Sequence, residues 1–103
     1  MKRMPLFFLC ALAACATADP PETQMAQARA MVAQARPVAQ QEAPLELSTA
    51  QSKLERAERA MERGHYEHAR LLAEQAEADA RLALVSSERT RADRVLQQER
   101  ASK

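Results

Sequence analysis

The sequence predicts an all-α fold: an antiparallel helical hairpin or three-helix bundle closed along an alanine-rich seam, following a signal peptide and a flexible tether. Three observations point there. The 103 residues include one glycine and three aromatic side chains. Strands want β-branched or aromatic residues, whereas the abundant Ala, Glu, Arg and Gln lose little rotamer freedom in a helix. Apolar residues recur at alternating spacings of three and four, and Pro or Gly stands where each run breaks. The chain has room for one small domain at most.

The N-terminus has a different character. Lys2 and Arg3 precede an apolar run over 6–14, and small residues follow, which is the layout of a secretory signal peptide occupying 1–14. The run is too short to span a bilayer, which takes about 20 apolar residues. Both cysteines, Cys10 and Cys15, lie in this region, so neither belongs to a disulfide framework or metal knuckle in the body of the chain. Leu12-Ala13-Ala14-Cys15 resembles the lipobox of bacterial lipoproteins, with a large apolar residue three places before the cysteine and small residues between. The resemblance implies a diacylglycerol on the Cys15 sulfur, cleavage after Ala14 and acylation of the new amino terminus. A thiolate is the good nucleophile among small side chains for such a transfer. Two or three acyl chains at about 0.8 kcal/mol per buried methylene would hold the protein on the membrane effectively for good. The competing site is Ala16-Thr17-Ala18, an ordinary A-x-A pattern that would release a soluble chain beginning at Asp19. By the sorting rule of the lipoprotein family, Ala16 in place of Asp implies the outer membrane, with the protein facing the periplasm.

Residues 15–21 lack large apolar groups and carry Pro20 and Pro21, and so predict a tether. A first helix is expected over 22–35, with Met25, Ala28, Val32 and Ala35 on one side; Pro37 is expected to stop it, leaving a Pro-containing linker up to 43. Residues 44–103 are expected to form a helical hairpin with an exposed C-terminal helix. The second helix starts at Pro44, a good first-turn residue, or a few places later where Ser48 and Gln51 could make a capping box. Leu47, Ala50, Leu54, Ala57 and Met61 form its apolar stripe, and Lys53, Glu55, Arg56, Glu58, Arg59, Glu62 and Arg63 its solvated face. Gly64 ends it, because glycine takes the left-handed conformation at a helix C-terminus without steric cost. The third helix carries Tyr66, Ala69, Ala73, Ala76, Ala80 and Ala83, a seam of small residues that lets two helices approach closely. Leu71, Leu72, Leu82, Leu84 and Val85 widen its apolar surface, and the first helix is expected to cover what the hairpin leaves bare. After Val85 the pattern thins to Ala92, Val95 and Leu96 among charges, predicting an exposed helix that frays towards Lys103.

The stretch 43–83, with its proline entry, repeated alanines, the Gly64-x-Tyr66 turn and the Ala-Arg-x-x-Ala run after it, resembles a bacterial family of helical envelope lipoproteins known as a domain of unknown function. In that family the domain stands alone or precedes an OmpA-like peptidoglycan-binding domain. The turn at Gly64, Tyr66 and Ala69 also resembles the one inside a tetratricopeptide repeat, but repeats need stacked copies and this sequence holds one.

Charge excludes more than it assigns. Fifteen basic and fourteen acidic residues leave a net charge of +1, which supports no nucleic-acid footprint. His65 and His68 stand three apart near Glu62, yet metal sites usually gather three or four convergent ligands, so the turn is their expected role and no metal is expected. Tyr66 is expected to pack at the hairpin end with its hydroxyl in water. No nucleophile, base and orienting group assemble into a catalytic set, no glycine-rich phosphate loop is present, and no cofactor beyond the lipid on Cys15 is expected. The five basic and three acidic residues of 88–103 read as a solvated helix face. Lys103 resembles the C-terminal lysine by which small helical lipoproteins of the Braun type are joined to peptidoglycan, although those are uninterrupted coiled coils and Pro37, Pro44 and Gly64 interrupt this chain. An alanine core in so short a chain buries little area. The expected partners are therefore the membrane lipid, a second copy or another envelope protein, with peptidoglycan as the alternative. The functional expectation is a non-catalytic structural or interaction module, against a wall tether through Lys103 or a tetratricopeptide-like periplasmic adapter.

Overall fold

The computed structural model describes residues 19–103. The expected signal peptide 1–14, the lipobox-like Leu12-Ala13-Ala14, Cys15 and the part of the expected tether up to residue 18 lie outside the described residues. Helix α1 runs Glu22–Glu42, α2 Pro44–Glu62 and α3 Tyr66–Ala101. Among the described residues all regular structure is helical.

Two apolar clusters give the helix directions. At one end Met25 and Ala28 of α1 meet Ala57 of α2 and Leu72, Ala73 and Ala76 of α3. At the other, Val32, Ala35 and Ala39 meet Leu47 and Ala50, together with Ala80 and Ala83. Helix α2 is thus antiparallel to both neighbours, while α1 and α3 run the same way. Twelve of the sixteen buried apolar residues are alanine, and the largest fully buried apolar side chains are Met25 and Val32. Alanine adds little apolar area, so the bundle depends on close backbone approach and the dense dispersion contacts this allows.

Each junction follows from its residues. Helix α1 does not stop before Pro37: it continues to Glu42, with Pro37 inside it. Proline removes the N–H that would bond the Ala33 carbonyl, but both residues lie on the exposed face, where water can serve that oxygen. Val32, Ala35 and Ala39 are packed on the opposite face on both sides of the proline, and this burial outweighs the local break. The expected linker therefore shrinks to Ala43, a corner residue whose N–H donates to the Ala39 carbonyl at 2.9 Å. Pro44 occupies the first turn of α2, and Ser48 lies inside that helix rather than capping it. Gly64 has φ +76°. Its N–H donates to the Met61 carbonyl at 3.1 Å and the His65 N–H to the Ala60 carbonyl at 2.9 Å, the paired bonds of a Schellman C-cap.

Helix α3 has 36 residues, or about 54 Å, against about 32 Å for the 21 residues of α1. Its inner line does not end at Ala83. Ser87 is fully buried and donates to the Ala83 carbonyl at 2.7 Å. One turn on, the Thr90 hydroxyl lies 3.5 Å from the Glu42 carbonyl oxygen, and Arg94 Nη2 reaches both Glu42 carboxylate oxygens, at 2.9 and 2.6 Å. Residues 91–103 are exposed, and beyond Arg94 the helix projects past the bundle.

Three ion pairs among the described residues link the helices, one for each pair of helices: Arg29–Glu58 at 3.0 Å, Lys53–Asp79 at 2.8 Å and Arg94–Glu42 at 2.6 Å. Lys53 meets a buried Asp79 oxygen that no donor approaches in good hydrogen-bond geometry, so this contact is a charge pairing without a directed bond. At the clasp, the Arg94 hydrogen bonds hold the Glu42 carboxyl below the usual carboxylate range, against the opposing effect of its partial burial and with the charges of Arg94 and Arg91 assisting. Arg94 is correspondingly pushed above its ordinary value.

Gly64→Ala should cost about 1–2 kcal/mol in a denaturant melt, because a Cβ there meets no atom within 4 Å and the penalty lies wholly in the left-handed backbone. Pro37→Ala should raise the unfolding free energy by up to about 3 kcal/mol, seen as a higher melting midpoint, if the restored N–H completes the α1 ladder. The Glu42 carboxyl, followed by NMR titration, should have a midpoint below that of a free glutamate. Its contribution to stability is full above the unfolded-state pKa and is lost as pH falls through the lower folded one. Glu42→Gln should flatten that part of the pH–stability curve.

Candidate interaction surface

The described surface offers open grooves between helices. Where α2 hands over to α3, Arg56, Arg59, Ala60 and Arg63 face His65 and His68 across a groove of about 180 Å³. The spacing of Arg56, Arg59 and Arg63 puts them on one face of α2, and the Schellman turn brings the two histidines beside them. Three arginines line the groove with the histidines, a set of side chains that suits an anion better than a cation. Among the described residues no three His, Cys, Asp or Glu side chains stand together in a metal-binding group. Next to this end, Arg70 bridges Glu67 and Glu74, lying 2.9 Å from the latter. Its hydrogen bonds lower the Glu67 carboxyl, and both acids raise Arg70 above its ordinary value.

A second groove of about 180 Å³ lies between α2 and α3, lined by Leu45, Glu46, Thr49, Asp79 and Leu82. The third, about 370 Å³, opens between α1 and α2 beside Val32, Arg36, Gln51, Leu54, Glu55 and Glu58. The second is the apolar one: Leu45 is 75% exposed on its wall.

The expected cover for the α3 leucines is only partly provided. Leu72 is buried and Leu84 half-buried, but Leu71, Leu82 and Val85 remain exposed, as do Val95 and Leu96. The reason is angular. Helix α1 packs on the line through Ala73, Ala76, Ala80 and Ala83, while Leu71, Leu82 and Val85 lie on the opposite side.

Of the residues singled out in the sequence, Gly64 forms the turn and Tyr66 opens α3, half-buried beside it. Lys103 is exposed, one residue after the Ser102 C-cap of α3. Leu12, Ala13, Ala14 and Cys15 fall outside the described residues. The clasp of Glu42, Thr90 and Arg94 was not anticipated. Its signal is in the spacing: Ala83, Ser87, Thr90 and Arg94 continue the three-four alternation, with polar residues replacing alanine. Because α1 and α2 are joined by a single residue, the N-terminus of α1 lies at the same end of the bundle as the Gly64 turn. Residues 19–21 therefore enter the bundle at the end where the Arg/His groove lies.

No helix among the described residues is long and apolar enough to cross a membrane. No curated protein and no solved structure matches the chain. The model of a family described as a domain of unknown function (DUF4398) matches residues 23–99, which takes in all three helices from the first turn of α1 to the free end of α3. The chain belongs to the DUF4398 family.

Proposed function

We propose that this protein is a non-catalytic lipoprotein of the bacterial envelope, held on the periplasmic side of the outer membrane by a lipid on Cys15, and that its bundle serves as an interaction module. The observation that carries this reading is the lipobox-like Leu12-Ala13-Ala14-Cys15 at the end of a positively started apolar run of signal-peptide length. Ala16 supports the outer membrane over the inner. The fold is compatible with it: residues 15–21 reach at most about 25 Å when extended, and α1 begins directly after them at the end of the bundle where the Arg/His groove opens. The guanidinium groups of Arg56, Arg59 and Arg63 are thereby within tether distance of a headgroup layer. The interaction role is supported by the exposed apolar side chains of α3 and by grooves that lie open between helices.

Mass spectrometry of the mature N-terminus tests the anchor. The native protein should begin at Cys15 and carry the mass of a diacylglyceryl group with or without a further acyl chain. Cys15→Ser should lose that mass and move from the membrane to the soluble fraction. An unmodified N-terminus at Asp19 would overturn the proposal.

A further inference from the structure

Helix α3 carries a second apolar line on the side facing away from the bundle. Leu71, Ala78, Leu82, Val85, Ala92 and Leu96 are all exposed, the four larger ones between 44% and 52%. At 100° per residue those four fall within about 60° of arc. Together the six follow a seven-residue repeat of coiled-coil type, with Gln75 and Arg89 at the two remaining core places. The line is about 38 Å long from Leu71 to Leu96, and no element among the described residues covers it.

We propose that this line is the docking surface for a second copy of the chain, α3 against α3, antiparallel, about a twofold axis between Ala83 and Leu84. The sequence of the line is complementary to itself in that register. Leu71 faces Leu96 of the second copy, Leu82 faces Val85, and each pairing occurs twice by symmetry. Ala92 lies opposite Gln75, and Ala78 lies opposite Arg89, whose stem can cover a small residue while its head stays in water. On the flank, Arg81 of each copy meets Glu88 of the other, giving two ion pairs across the axis. Arg81 is already held at 2.6 Å by Glu77, which leaves guanidinium donors for a second acid, and Glu88 is exposed and in no ion pair among the described residues.

The parallel arrangement fails on charge. It would set Arg89 against Arg89 in the core and place Glu74 beside Asp79 and Glu88 beside Asp93 of the second copy, like against like. A lipid surface is a poorer occupant as well, since the line is bordered by Glu74, Glu88 and Asp93 alongside Arg81 and Arg89 and so lacks the excess of basic groups that headgroup binding favours. The groove walled by Leu45 and Leu82 opens on the flank of the same line, which extends the apolar surface onto α2.

This inference deepens the interaction-module reading and does not depend on the lipid. Full-length chains with two different tags, one carrying Leu71→Cys and the other Leu96→Cys, are co-expressed and oxidised in the envelope, with the parent chain as the blank. A disulfide should join residue 71 of one chain to residue 96 of the other, and two Leu71→Cys chains should not join. Arg81→Glu or Glu88→Arg should each cut the crosslinked yield about tenfold, through two attractions lost and two repulsions gained. The double exchange R81E/E88R should restore it, with circular dichroism of each purified variant establishing that the bundle is folded. Crosslinking between two Leu71→Cys chains as strong as the 71–96 pairing would overturn the proposal. So would an absence of crosslinks, or a double exchange as weak as the single ones. Lipid mass on Cys15 is read separately on the same protein, so failure of the anchor and failure of the dimer are distinguishable.

Discussion

The architecture depends on how closely three helices can approach when the residues between them are almost all alanine. A methyl group contributes little transfer free energy, and the cohesion has to come from many short contacts between backbones and small side chains. That constraint excludes bulk from the inner line: a leucine at Ala76 or Ala80 would force the axes apart and loosen every layer beside it. Apart from Met25 and Val32, which α1 contributes to the core, the larger apolar residues are accordingly placed at its margins or outside. Leu47 and Leu72 are buried, Leu54 and Met61 half-buried, and Leu71, Leu82 and Val85 face solvent. The exposed leucines of α3 are thus a consequence of what the interior cannot hold.

A seam of identical small residues has a second property, which is that it specifies its own register weakly. Sliding α3 along α1 by one turn still puts alanine against alanine over much of the length. Directional polar contacts distinguish one register from the next. Arg29–Glu58, Lys53–Asp79 and Arg94–Glu42 join the three helix pairs at different heights, so a slip of one turn would break pairs that the alanines alone would not miss. The Glu42 clasp has the sharpest geometry, because one guanidinium nitrogen meets both carboxylate oxygens while Thr90 lies beside the last turn of α1. It also marks the level at which α3 leaves the bundle.

What was legible in the sequence was what repeats locally. The alternation of three and four predicted Met25, Ala28, Val32 and Ala35 on one face of α1, Ala69 to Ala83 on the inner line of α3, and the all-α fold that joins them. Gly64 was legible because its role is a property of its own backbone. Pro37 was not, because the penalty of an internal proline is local while the packing that overrides it comes from α3, distant in sequence. The clasp stayed hidden for a related reason: Glu42 and Arg94 are 52 residues apart, and one acid among fourteen does not announce its partner. The lipobox resemblance belongs to another category, since it is read from the chemistry of processing and not from folding.

The two lines on α3 divide their tasks by size. The inner one, of alanines ending in Ser87, is too small to attract a partner in solution, and it works because Gly64 and Ala43 bring the other helices to it within one chain. The outer one has side chains large enough to repay an intermolecular contact, but it is interrupted by Gln75 and Arg89, which keeps it from being strongly adhesive. Such a surface suits a setting that raises local concentration. On the proposed anchor, confinement to one leaflet does so, and a weak contact between tethered copies then gains from effective concentration what it lacks in area. A twofold axis perpendicular to the membrane lets antiparallel copies lie side by side with both tethers leaving towards the same leaflet. In the rejected parallel arrangement, whose twofold runs along the helices, the tethers would also leave together, so the anchor does not choose between the two arrangements. The charges at Arg89, Glu74 and Glu88 do, and for that reason the orientation is a property of the helix and not of the membrane.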